Sequence, residues 1–177
     1  METFTSVFNI LSAIVSIIWF VAGLVFLFSK KESAISKFVS KNILWLGVFV
    51  AGSSLVGSLI YSNVIGYAAC TLCWYARILL YPQFAIFLLA LMKKDRGIFD
   101  YVFLLSILGI IISGYHYFLV DLAHIELVTC DANNVSCATR YVYEFGFVTI
   151  PFMSLSAFVF LTGALASAKR ALKQSIN

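Results

Sequence analysis

The four cysteines of this chain fall as two pairs, Cys70/Cys73 and Cys130/Cys137. The first is a C-x-x-C, Cys70-Thr71-Leu72-Cys73, at the start of an apolar stretch. That spacing closes a small disulfide ring, and a helix beginning there sets backbone N–H groups and its positive dipole end against a thiolate. By spacing alone the pair reads as a redox-active dithiol, an inert disulfide, or half of a metal site. Arg77 follows Cys73 by four residues, so a helix brings both to one face, one turn apart. It either polarises an electron acceptor beside Cys73 and stabilises the negative charge that develops, or it snorkels to lipid phosphate. The second pair encloses six residues, Asp131-Ala132-Asn133-Asn134-Val135-Ser136, within a long polar segment. A disulfide there is flexible and exposed, so it is either one that a partner thiolate can attack or a staple that ties the loop. Four cysteines allow three pairings on paper. Zinc fits worst and no metal is expected, because structural sites use spacers of two to four residues and the second spacer here has six.

The chain that must position these residues has 177 residues, 62% of them hydrophobic and 11% charged. A soluble domain carries about 25% charged residues and a disordered one lacks hydrophobicity, so both are excluded. Five apolar stretches occur, at about 4–28, 43–60, 72–92, 98–120 and 147–168. Each approaches the roughly 20 residues that a helix needs to cross a bilayer. None alternates with period two, which argues against a barrel. The expected class is all-α, a polytopic membrane helix bundle forming one domain over 1–177. The first stretch is expected to be a retained helix: Glu2 makes its start acidic, no Lys or Arg precedes it, and it outruns the apolar core of a signal peptide.

Charge sets the expected topology. Lys30, Lys31, Lys37, Lys41, Lys93, Lys94, Arg96, Lys169, Arg170 and Lys173 all fall in alternate connections or at the C-terminus, which makes that side cytoplasmic. The N-terminus, the 61–71 connection and the 121–145 loop are then outside, with both cysteine pairs where disulfides persist. Arg77 and Arg140 remain on that side with Asp121, Glu126, Asp131 and Glu144. The net charge of +4 reflects this topology and not a nucleic-acid surface, since no basic cluster is interleaved with aromatics on a soluble stretch. Pro82 is expected to kink the third helix. Gly109 and Gly114 let the fourth approach a neighbour, and the stretch 109–117 is expected to pack against the third.

Cys70-Thr71-Leu72-Cys73-Trp74-Tyr75-Ala76-Arg77-Ile78 followed by Tyr81-Pro82 resembles the signature of the DsbB family of membrane disulfide-bond formation proteins, in its BdbC-like branch. Tyr115-His116 and the run from Phe145 to Ser154 are similar to the same branch, and the resemblance covers about 43–168. It implies a four-helix core in the cell membrane; the first helix, 4–28, lies outside the resemblance and is expected to be a lateral brace or a partner-binding helix. It implies oxidation of a thioredoxin-like, DsbA-type extracytoplasmic dithiol protein, with the electrons passed to ubiquinone or menaquinone, by a chain expected to act as a monomer. Carried over, Cys70 and Cys73 are the quinone-coupled pair, Cys73 the nearer to the ring, with Arg77 beside it. Cys130 and Cys137 are the pair that meets the partner, Cys130 forming the mixed disulfide. His116 matches a family histidine at the quinone end, or is a packed helix histidine. The family usually has Gln or Glu where Ala76 stands, which leaves open the polar group that assists Arg77. Two other readings compete. One is a non-catalytic membrane protein with structural disulfides. The other is a quinone reductase resembling vitamin K epoxide reductase, whose cysteine pairs come in the reverse order.

Overall fold

The computed structural model describes residues 2–29, 34–95, 97–123 and 136–174. Cys130, the loop acids Glu126 and Asp131, and the basic residues Lys30, Lys31 and Arg96 lie outside the described residues. Five helices are formed: α1 (Glu2–Phe28), α2 (Ala34–Leu59), α3 (Thr71–Lys93), α4 (Phe99–Gly114) and α5 (Ile150–Gln174). Two of them continue into wider π-helical turns, α2 into Ile60–Val64 and α4 into Tyr115–Leu122. There is no sheet among the described residues; the one isolated bridge pairs Glu144 with Val148. All five helices are long and apolar enough to cross a membrane when the π turns are counted with α2 and α4.

The bundle is built around α5. Every residue from Leu155 to Leu165 is buried, whereas the other helices turn large apolar side chains outward, among them Trp45, Phe49, Ile78, Tyr101 and Ile111. In water that surface would aggregate; in hydrocarbon it costs nothing, and the bilayer is the solvent it suits. Because lipid gives no hydrophobic drive for helix association, close packing must supply it. Small residues do so here. A Cβ on Gly163 would lie 2.2 Å from the Gly23 carbonyl oxygen, so α1 and α5 meet backbone to backbone. Phe87 of α3 lies on Gly47 of α2, and Phe158 of α5 lies on Gly109 of α4. Gly109 therefore receives α5 and a Cβ at Gly114 would meet open space, while Ile112 and Tyr115 of the same stretch pack with Cys70 and Leu72 at the start of α3.

Several buried polar groups are paired across helices. Ser106 Oγ donates to Gln83 Oε1 at 2.9 Å, and Gln83 Nε2 donates to the Leu79 carbonyl at 3.1 Å, which joins α4 to α3 one residue past Pro82. The helix runs on through that proline. Helix α2 starts nine residues before the apolar stretch at 43–60, because Ser36 and Ser40 are buried instead of ending the span. Ser167 Oγ donates to Ser36 Oγ at 3.2 Å. At the same end Arg170 donates to the Phe26 and Leu27 carbonyls at 2.8 and 2.9 Å, satisfying orphan acceptors at the C-terminus of α1. Lys169 pairs there with Asp100.

Candidate redox site

The opposite end of the bundle gathers the chemistry. Cys70 is the N-cap of α3, with extended backbone (φ −73°, ψ 171°), and its sulfur accepts from the Cys73 N–H at 3.5 Å. A thiol thus occupies the place where Ser, Asp or Asn usually accepts an orphan N–H. The spacing of the motif follows, since the N-cap side chain reaches the third helical residue. The two sulfurs are 3.1 Å apart, with the Cys70 thiol donating to Cys73. Donation to Cys73, and then burial, push the Cys70 thiol from 9.0 up to about 12. Cys70 accordingly keeps its proton at neutral pH.

His116 stands over this pair. The π turn after α4 is bonded i to i+5, and it turns His116, Tyr117, Val120 and Asp121 inward together. His116 Nε2 lies 4.0 Å from Cys70 Sγ and 3.1 Å from the backbone oxygen of Cys137. Cys137 is buried in one apolar cluster with Cys70, Leu72 and Val120. One imidazole therefore joins the helix-start cysteine pair to the loop cysteine. The ligand atoms of Cys70, Cys73 and His116 lie within 4.8 Å of one another, a donor set that soft metals accept.

A second cluster holds the loop in place. Arg140 Nε donates to Asp121 Oδ1 at 2.5 Å, and Arg140 also donates to the Asp121 backbone oxygen. Thr149 Oγ1 donates to Asp121 Oδ2 at 2.6 Å. With Asp121 only 2% exposed, the carboxylate needs these bonds. Tyr67 stacks on Tyr141 at 4.8 Å and on Tyr61 at 5.9 Å, tying the same loop to the end of α2. Beyond it the chain reverses at Phe145 and Gly146, both with positive φ (53° and 78°), and Glu144 and Val148 exchange two backbone bonds at 2.9 Å. Gly146 supplies a conformation that side chains disfavour.

Arg77 points into the bundle. Its Nε donates to Ser58 Oγ at 2.8 Å and its Nη2 to the Ser58 carbonyl at 3.2 Å, and its guanidinium lies 5.1 Å from the Trp74 ring centre. Ser58 precedes the π turn that ends α2. Ser58 is thus the polar partner that the sequence left open beside Ala76, which is itself buried. Arg77, Cys73 and His116 line a cavity of about 380 Å³, otherwise largely apolar. Ser54 Oγ, on the same cavity wall, is buried without a hydrogen-bond partner. A flat, mostly apolar acceptor with carbonyl oxygens suits a site that offers the Arg77 guanidinium and a spare hydroxyl.

The structure brings Cys70, Cys73, Arg77, His116 and Cys137 together and leaves Cys130 undescribed. Sequence reasoning missed Ser58, Tyr141 and the Asp121–Arg140–Thr149 cluster. The only signal for the cluster was two opposite charges on the cysteine-bearing side, 19 residues apart.

Comparison with known proteins bears on this arrangement. The Disulfide bond formation protein DsbB family matches residues 40–168. The SPbeta prophage-derived disulfide bond formation protein B of Bacillus subtilis is 39% identical over 123 residues, covering 70% of this chain and 82% of that protein. The probable disulfide formation protein C of Halalkalibacterium halodurans is 35% identical over 68% of this chain and 88% of its own length. Disulfide bond formation protein C of Bacillus subtilis is 36% identical over 63% of this chain and 81% of its own. No solved structure matches the chain. With the matched region spanning α2 to α5 and both cysteine pairs, this multi-pass membrane protein belongs to the DsbB family of disulfide-bond-forming oxidoreductases.

Proposed function

We propose that this chain reoxidises a thioredoxin-like, DsbA-type dithiol protein outside the cytoplasm and delivers the electrons to membrane quinone. The observation that carries the reading is the Cys70/Cys73 pair, which caps α3 and lines the same cavity as Arg77, with Cys137 packed against it. The partner's thiolate attacks the Cys130–Cys137 disulfide at Cys130, forming a mixed disulfide and releasing the Cys137 thiolate. The partner's second thiol resolves it, so the partner leaves oxidised and Cys130/Cys137 is left reduced. Exchange with the Cys70–Cys73 disulfide then restores the loop pair and reduces the helix pair. The burial of Cys137 beside Cys70, and the His116 bond to its backbone, support direct exchange between the pairs.

In the reduced helix pair, Cys70 holds its proton and donates toward Cys73, which supports Cys73 as the electron-donating sulfur. Quinone, when bound, supplies the two-electron acceptor. Arg77 would hold one of its oxygens, with Ser58 fixing the guanidinium and Ser54 offering a second hydroxyl. His116 lines the cavity and would order Cys70 against the acceptor. The basic residues gathered at the other end of the bundle support a cytoplasmic C-terminus, with the redox end outside.

The test is quinone reduction by the purified protein in nanodiscs, followed optically on adding a reduced DsbA-type protein, with Cys130→Ser as control. Steady turnover that vanishes in the control supports the reading. Folded protein with intact thiols that turns over neither ubiquinone nor menaquinone overturns it.

A further inference from the structure

Helix α1 lies outside the residues matched by the family, yet it forms one wall of the cavity that holds Arg77 and Cys73. Along its length α1 is fastened to α5. Gly23 and Gly163 touch backbone to backbone, Phe20 meets Phe152 and Phe26 meets Phe160 at 5.4 Å, and Arg170 caps its last turn. Against α2 it is nearly free. At the redox end Ser12 Oγ and Tyr61 OH lie 2.6 Å apart, and Phe8 meets the Tyr61 ring edge-on at 5.1 Å. Away from that point the cavity reaches into the seam between the two helices. Leu11 and Val15 of α1 and Val56 of α2 line it, yet they are 57%, 39% and 53% exposed, so the seam opens sideways to lipid. Gly57 also lines it, and a Cβ built there meets nothing within 4 Å.

We infer that the α1–α2 seam is the lateral passage through which the hydrocarbon tail of a membrane-dissolved acceptor lies and enters, with the Ser12–Tyr61 contact closing its outer end. The outward side chains of the seam, Leu11, Val15 and Val56, are apolar, and the hydroxyls of Ser12, Ser16 and Ser53 beside them donate to carbonyls of their own helices, so the passage suits a polyprenyl chain. The ring then sits at Arg77 while its tail remains in the bilayer, with no need for the molecule to pass through water. The added helix thereby turns an open face of the family core into a walled slot. This inference rests on the quinone reading above.

Two measurements test it. In the first, the KM of Gly57→Phe and of Leu11→Trp, which fill the seam from opposite walls, is measured for a long-chain polyprenyl quinone and for a tail-less quinone with the same ring. The long-chain KM should rise about tenfold or more beyond any rise for the tail-less one. Equal changes for both acceptors, or none for either, overturn the passage. In the second, which needs no variant, wild-type protein is photolabelled by a quinone bearing a diazirine within its prenyl chain. Labels on 11–19 and 53–60 are expected. Labels confined to α3 or α4 overturn the inference while leaving the quinone reading intact. A wild-type protein that reduces no quinone removes both, and that failure is seen before any variant is made.

Discussion

Replacing Arg140 by methionine keeps the length of the side chain and removes its charge. In the structure Asp121 is buried and its carboxylate is held by Arg140 and Thr149. Removing one partner of a buried pair costs about 3–5 kcal/mol, because the other charge is left uncompensated. The Arg140 side chain is itself 32% exposed, so water already screens part of the attraction and brings the cost below that range, to about 2–3 kcal/mol. The lost energy falls on the docking of 136–149 against the π turn of α4, since that is what the pair holds. Every 1.4 kcal/mol is tenfold, so the undocked population should rise about 30- to 150-fold. Cys137 is 5% exposed when docked, and labelling through local opening follows the open population. In reduced protein the peptide-resolved alkylation rate of Cys137 should therefore rise by that factor in Arg140→Met. The rate at Cys70 should change less. Asp121→Asn combined with Arg140→Met leaves no buried charge and should recover more than half of the loss on a logarithmic scale. Alkylation of Cys137 in Arg140→Met at the wild-type rate would refute the clamp.

Other consequences can be checked separately. Gly163→Leu drives a side chain into the Gly23 carbonyl, and backbone cannot yield as a side-chain tip can; the thermal midpoint should fall, by a destabilisation of about 3 kcal/mol or more, and an unchanged midpoint would contradict the α1–α5 contact. With the Cys70 thiol raised to about 12, its thiolate is scarce below that pH, so its alkylation rate should still be climbing nearly tenfold per unit between pH 8 and 10. A plateau near pH 9 would show an ordinary thiol, and Cys73→Ala should move the profile down because the bond to Cys73 is the largest cause. Arg77→Ala should weaken quinone use more than partner binding. Ser58→Ala should raise the quinone KM about three- to tenfold, since Arg77 loses its bond to the hydroxyl but keeps the one to the carbonyl. Unchanged kinetics in both variants would leave Arg77 as an anchor.

The sequence by itself determined the solvent, the number of helices and the chemical motif. A chain with so few charges and five apolar runs can satisfy its backbone only as membrane helices. The C-x-x-C at a helix start, with Arg77 one turn on, is a local pattern whose geometry follows from helix spacing alone. Tertiary structure decided what spacing cannot encode. Helix α2 extends back to Ala34 because Ser36 is buried against α5, and an isolated reading ends an apolar run at such a serine. Gly109 serves α5, because lipid-embedded packing is settled by which surfaces interlock and not by chain order. Ser58 reaches Arg77, Arg140 reaches Asp121, and His116 reaches the Cys137 backbone, across separations of 19 to 21 residues. The π turn after α4, which aims His116 and Asp121 inward, carries no sequence pattern that periodicity detects. The wall that α1 adds to the cavity exists only because α1 binds α5 and stands clear of α2.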